Sequence, residues 1–189
     1  MLKFTAPRRR GFFMFPQLTT ERFLLQQVLP EDQGFIFAGL SHPDVIRFYG
    51  VQYTSFEATG VQMEWYEKMR AEGWGLPWKI VDRSSGEKMG VISIYYYKPE
   101  HNKAEVGFWL LPAYWNKGII LEALKAAIDY WRSQKKLHRL EAFVEQGNTA
   151  SSKLLEKAGF LYEGTMQDCE MKNGKYISLL VYAMILSKT

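Results

Sequence analysis

Only one cysteine, Cys169, and three histidines, His42, His101 and His138, occur in 189 residues. A lone thiol excludes a disulfide within the chain. It also rules out a cysteine-rich zinc site, and the histidines show no metal-ligand spacing, so no metal is expected. No stretch approaches eighteen consecutive apolar residues, and the pattern indicates no transmembrane helix. The run Gly11-Phe12-Phe13-Met14-Phe15 behind Arg8-Arg9-Arg10 is too short for a secretory core, so a cytoplasmic protein is the simplest expectation. Charge of one sign is also scarce: the net charge is +4. Arg8-Arg9-Arg10 and Lys135-Lys136 read as a solvated tail and face rather than a nucleic-acid stripe, and the small basic excess suits an anionic ligand. Repeats, low-complexity tracts and linkers are missing too, which leaves one domain.

With 47% hydrophobic and 23% charged residues, the composition is that of an ordinary globular domain. Seven runs read as strands: 22–28, 76–82, 88–97, 104–111, 139–144, 160–170 and 176–186. Helical spacing marks 29–40, a short piece over 41–49, then 55–72, 118–133 and a helix opening at 147–152 that ends at Gly159. Arg83-Ser84-Ser85-Gly86-Glu87 reads as a hairpin turn, and Asn173-Gly174 is the strongest short hairpin signal. Phe48, Tyr49, Tyr53, Trp65, Tyr66 and Trp74 crowd the region between the first two strands, most of them as core.

The most informative stretch runs from Glu105 to Leu124. A continuous apolar run ends at Pro112, a loop ends in Asn116-Lys117-Gly118, and Leu121, Leu124, Ala127, Ile128 and Trp131 then recur at helical spacing. The helix therefore starts near Gly118, where unpaired backbone N–H groups and the helix dipole favour an anion. Gly118 lets a ligand approach the backbone and Lys117 adds charge. The same features also describe an ordinary strand-to-helix connection.

The loop resembles the pyrophosphate-binding motif of the GCN5-related N-acetyltransferases, Gln/Arg-x-x-Gly-x-Gly/Ala. It is closest to the branch that acetylates the N-termini of ribosomal proteins. Where that branch often reads Tyr-Trp-Gly-Lys-Gly-Tyr-Ala-Thr-Glu-Ala, this chain has Tyr114-Trp115-Asn116-Lys117-Gly118-Ile119-Ile120-Leu121-Glu122-Ala123. Leu18-Thr19-Thr20-Glu21-Arg22 with Pro30-Glu31-Asp32, and Met89-Gly90-Val91-Ile92, resemble further segments of the family. The resemblance spans residues 18 to 186. It implies a mixed α/β fold in one domain over 18–189, after an extension at 1–17. The implied sheet is mostly antiparallel, with about seven strands, a splayed central pair and about four flanking helices.

The resemblance also implies a chemistry. Acetyl-CoA would lie with its arm along Trp109-Leu110-Leu111 and its pyrophosphate on Asn116, Lys117, Gly118, Ile119 and Ile120. Asn148-Thr149-Ala150-Ser151 matches the Asn-x-x-Ser of the ribosomal branch, so Asn148 would bond the coenzyme and Ser151 would protonate the departing thiolate. Either residue could instead cap a helix. Leu155 stands where many other members carry a tyrosine, in keeping with the serine-using branch. Glu170 matches the glutamate proposed as base, with Glu105 as its rival; a surface carboxylate is the alternative for both. Ser178 stands where the branch usually has an aspartate, and Cys169 has no partner for covalent catalysis. The implied activity is acetyl transfer to a primary amine, a protein N-terminus first, a polyamine or aminoglycoside second. A non-catalytic acyl-CoA-binding module is the competing class, and edge strands allow a homodimer.

Overall fold

In the computed structural model residues 15–134 and 137–186 are described, so the basic clusters Arg8–Arg10 and Lys135–Lys136 and most of the extension lie outside them. The strands are β1 (Leu18–Thr19), β2 (Phe23–Gln27), β3 (Leu76–Asp82), β4 (Lys88–Lys98), β5 (Lys103–Leu110), β6 (Arg139–Glu145), β7 (Leu161–Lys172) and β8 (Lys175–Ile185). They form one sheet in the order β1-β2-β3-β4-β5-β6-β8-β7, antiparallel throughout except between β5 and β6. Helices α1 (Gln33–Leu40), α2 (Pro43–Ile46), α3 (Gly60–Glu72), α4 (Ile119–Ser133) and α5 (Thr149–Ala158) flank it. The strand beyond the expected seven is β1, two residues long and paired only with β2, too short to show an alternating pattern. α3 starts at Gly60 rather than Ser55, because the Ser55 hydroxyl and carbonyl close a separate turn onto Ala58 and Thr59.

Period-two alternation along β4 divides the apolar residues between two cores. Ile92 and Ile94 face the larger one, with Trp78, Ile80, Leu124, Leu140 and Leu155 under α4 and α5. Val91 faces the smaller one, with Ile36, Leu40, Tyr66, Met69 and Trp109 under α1 and α3. Each such side chain contributes roughly 1.5–3 kcal/mol by leaving water. Asp32 is buried just before α1 and holds Lys79 and Lys88, each at 2.6 Å, which ties the start of that helix to β3 and β4. Burial alone would raise the Asp32 pKa. Hydrogen bonds from Lys79, Lys88 and the Leu29 amide outweigh it, so the carboxyl sits below its ordinary value. Phe15 packs edge-on against Trp78 at 5.8 Å, and the Pro16 carbonyl accepts the Trp78 indole N–H at 2.7 Å.

The feature that makes a site is the parting of β5 from β6. They pair only over Lys103–Glu105 and Arg139–Glu141. From there β5 stays with β4 as far as Leu110, while β6 stays with β8 as far as Glu145. A wedge opens between them, and the implied splayed pair is therefore present.

Candidate active site

A cleft of about 1350 Å³ occupies this wedge. It is bordered by Glu105, Trp109, Leu110, Asn116 to Ile120, Asn148, Ser151 and Glu170. Leu111 lies outside it: its N–H bonds to the Met89 carbonyl at 2.9 Å and its side chain packs on the smaller core. Trp109 borders the cleft but is only 4% exposed, its ring set at 5.3 Å from Phe35. The Leu110 carbonyl already accepts the Trp115 indole N–H at 2.9 Å.

At one end of the cleft, Pro112 opens a single 3-10 turn and the chain then twists through two left-handed residues, Asn116 (φ 59°) and Gly118 (φ 72°), before α4 begins. Asparagine and glycine are the residues for which that conformation costs least. Six consecutive backbone amides, Asn116 to Leu121, find no acceptor among the described residues. A concave run of N–H groups at the positive end of a fifteen-residue helix is an arrangement suited to an anion. Ile120 is 4% exposed and turns into the larger core, so its bulk does not fill the concavity. Arg22 braces the loop from behind: its guanidinium donates to the Lys117 carbonyl at 3.1 Å and to Glu122 at 2.7 Å, and its own N–H donates to Glu122 at 3.0 Å.

Across the wedge, the Asn148 side-chain oxygen accepts the Ser151 N–H at 3.2 Å and caps α5. The capping alternative is thus realised by Asn148. The Ser151 hydroxyl remains without a partner among the described residues and borders the cleft.

Acidic groups line the far end. Burial raises the Glu105 pKa and neighbouring Glu141 raises it further, while Lys98 and Lys103 pull it down less; the carboxyl ends above its ordinary value. Glu105 has no ion-pair partner among the described residues, unlike Glu141 across the ladder, which holds Lys103 at 3.0 Å and Arg139 at 2.8 Å. Glu170 stands exposed on β7, after a bulge at 167–169 in which Asp168 has a φ of 47°. Ser178 is buried and engaged there: its hydroxyl accepts the Asp168 N–H at 3.0 Å and pairs with Gln167 at 3.3 Å. Tyr95 lies within electrostatic reach of both acids. Burial, then Tyr49, Glu105, Tyr96 and Glu170, hold its hydroxyl far above the ordinary phenol value. Among the described residues no group of His, Cys, Asp and Glu could hold a metal, and no helix is long and apolar enough to cross a membrane.

A sequence model of the family described as "Acetyltransferase (GNAT) domain" matches residues 22–161. The chain belongs to the GNAT acetyltransferase family. An uncharacterized N-acetyltransferase, YoaA of Bacillus subtilis, is 32% identical over 173 residues, 91% of this chain and 98% of its own length. The ribosomal-protein-serine acetyltransferase of Escherichia coli is 32% identical over 100 residues, 53% of this chain and 56% of that protein. Among solved structures, a ribosomal L7/L12 alpha-N-protein acetyltransferase in complex with coenzyme A superposes with a TM-score of 0.81, covering 90% of this chain and 98% of that one. At 21% identity that likeness is one of fold.

Within this GNAT site, sequence reasoning missed Arg22 and Glu122. Arg22 sits in a phrase read as a strand opening, and Glu122 in a helix first turn, where an acid is expected anyway. Their contact spans a hundred positions and leaves no local pattern. Ser178 is consumed inside a bulge, and Cys169 lies outside the cleft, its thiol 3.8 Å from the Ile177 carbonyl.

Proposed function

We propose that the protein moves an acetyl group from acetyl-CoA to a primary amine, a protein N-terminal α-amine first among the candidates, by direct attack within a ternary complex. The observation that carries this reading is the convergence on one cleft of an unpaired amide concavity, a free Ser151 hydroxyl and an unpaired carboxylate, Glu105. The amides of Asn116 to Leu121 would hold the pyrophosphate, with Lys117 adding charge. Acetyl-CoA supplies an activated thioester as the acetyl donor.

The protein's own groups then divide the proton work. Glu105, held partly out of water with a raised pKa, accepts a proton from the incoming ammonium and leaves the nitrogen lone pair free. Attack forms the C–N bond and breaks the C–S bond. Ser151 gives its proton to the sulfur and regains one from the attacking nitrogen, so the products are an acetamide and a thiol. Glu170, on the rim, attracts the ammonium before transfer. Glu105 is favoured over Glu170 as the base because it is the more enclosed of the two.

Thiol release with acetyl-CoA tests the reading, using peptides with free N-termini beside spermidine and an aminoglycoside. Turnover on peptides, lost in Glu105→Gln with coenzyme affinity retained by calorimetry, is the expected result. Turnover confined to small amines would overturn the acceptor, and tight binding without turnover on any amine would overturn the enzyme.

A further inference from the structure

At the acceptor end, β4 carries one residue more than β5. Tyr95 stands opposite Glu105, but pairing resumes only at Lys98 with Lys103, and in the slack between them Tyr96 is held at φ 51°. A bulky side chain keeps that backbone conformation only where its surroundings enforce it. Here they orient the ring. Tyr96 stacks on Trp74, with centroids 5.5 Å apart and planes 19° apart, and meets Tyr95 at 5.0 Å and Trp65 at 6.4 Å edge-on. Trp65 and Tyr96 border the cleft, and Tyr96 is still 46% exposed, so the wall offers an aromatic surface to a ligand.

Two polar side chains in the same wall are almost fully buried. Gln62 and Ser93 are each 5% exposed and both border the cleft. The Gln62 amide takes the Tyr53 hydroxyl at 3.2 Å with one end and leaves the other without a partner; the Ser93 hydroxyl has none among the described residues. The Gln62 Nε2 and Ser93 Oγ atoms still reach the cleft, where each can hydrogen-bond an acceptor.

Charge narrows the choice. Glu105 and Glu170 form no ion pair among the described residues, whereas Glu145 in the same cleft is neutralised by Lys172 at 2.6 Å. Asp44 is exposed and faces His42 at 3.9 Å, and Arg47 adds a cation beside it, its guanidinium 5.1 Å over Phe48. A polycation would meet Arg47 as well as the acids.

We infer that the acceptor is a singly charged primary amine carried within a few bonds of an aromatic ring. The ring packs against Tyr96 and Trp65 while the ammonium reaches Glu105. This deepens the acetyltransferase reading and rests on it. A free arylalkylamine and a peptide beginning with an aromatic residue share this chemistry, and the assay separates them.

The test measures kcat/KM with acetyl-CoA for 2-phenylethylamine against butylamine, for peptides beginning Phe against otherwise identical peptides beginning Ser, and for spermidine. Each aromatic acceptor should exceed its counterpart by about 10-fold or more. Preference in only the free-amine or only the peptide arm assigns the source. Tyr96→Ala should erase the preference without changing acetyl-CoA affinity, and Tyr96→Phe should keep it. Equal rates within both pairs, a lead for spermidine, or an intact preference in Tyr96→Ala would overturn the inference while leaving the acetyltransferase reading in place. Calorimetry of 2-phenylethylamine against the protein with coenzyme A gives a readout that needs no turnover. Binding weakened by about 10-fold in Tyr96→Ala supports the subsite, and no binding above that of butylamine overturns it.

Discussion

Helix α1 packs closely on Trp109 of β5, a strand that borders the cleft, and two glycines in that helix make the packing measurable. A Cβ added at Gly39 would stand 2.2, 2.4 and 2.8 Å from three ring atoms of Trp109. Real Cβ contacts begin above 3 Å, so the ring or the helix must move by about an ångström. The ring cannot swing out cheaply, since Trp109 is buried and packed against Phe35. Overpacking of this kind costs about 1–3 kcal/mol, against a gain of about 1 kcal/mol for alanine over glycine inside a helix. Gly34, in the first turn of the same helix, is exposed and its added Cβ meets only Phe56, at 4.0 Å. Gly34→Ala should therefore be neutral or raise Tm by about 1–3 °C, while Gly39→Ala should lower it by about 2–6 °C. Thermal unfolding by circular dichroism reads both. Because Trp109 lies on the strand that borders the cleft, Gly39→Ala should also reduce kcat/KM. Equal Tm changes for the two variants would refute the packing argument, since helix propensity alone predicts the same sign for both.

Ser151→Ala should lower kcat by about 10- to 100-fold with little change in Tm, because Asn148 caps the helix through the Ser151 backbone N–H, which the substitution retains; stopped-flow thiol release and calorimetry read the two sides. Glu105→Gln should lower kcat/KM by about 10²–10⁴ and yet raise Tm at neutral pH. The sign follows from the raised pKa: the fold favours the neutral carboxyl, so wild-type stability falls as pH rises from the ordinary glutamate value of 4.5 through the folded value, and the two proteins converge below 4.5. A Tm gap that widened on acidification would contradict this. Arg22→Ala should weaken acetyl-CoA binding by about 10-fold in calorimetry while costing only about 1 kcal/mol of stability, since its ion pair with Glu122 is half exposed.

What was legible in the sequence was what the backbone does locally. The α4 pattern, the Asn116-Lys117-Gly118 loop before it and the Asn173-Gly174 hairpin all rest on residues whose φ preferences or spacing act over a few positions, and Asn173 and Gly174 do stand at φ 50° and 75°. The parting of β5 and β6 came only through family resemblance. Nothing in either strand's composition distinguishes Val106 to Leu110 from an ordinary paired strand. Contacts between distant positions were invisible for the same reason: Arg22 with Glu122, and Glu145 with Lys172, become pairs only when the sheet order brings their strands and helices together. Tyr96 is the sharpest case. Propensity makes it a regular strand residue, and only the register of β4 against β5 turns it into a left-handed one.

The two ends of the cleft are built by different physics, and that decides how readily each can be recognised. At the coenzyme end the ligand would meet backbone N–H groups, which every residue but proline supplies. Asn116 for glycine and Ile120 for a small residue are thus tolerated, provided the left-handed turn is kept and Ile120 points into the core. At the acceptor end recognition would fall to side chains: Gln62 and Ser93 with polar atoms open to the cleft, Tyr96 fixed by a bulge, and Glu105 left unpaired where Glu141 and Glu145 are neutralised. A substitution there would alter recognition of the acceptor without touching the backbone at the coenzyme end. Ser178, whose hydroxyl pins the bulge before Glu170, is one such position. A family can therefore keep its donor site legible while its acceptor drifts, and the identity of the amine must be argued from Tyr96, Trp65 and Glu105 in this chain rather than from the motif they share a cleft with.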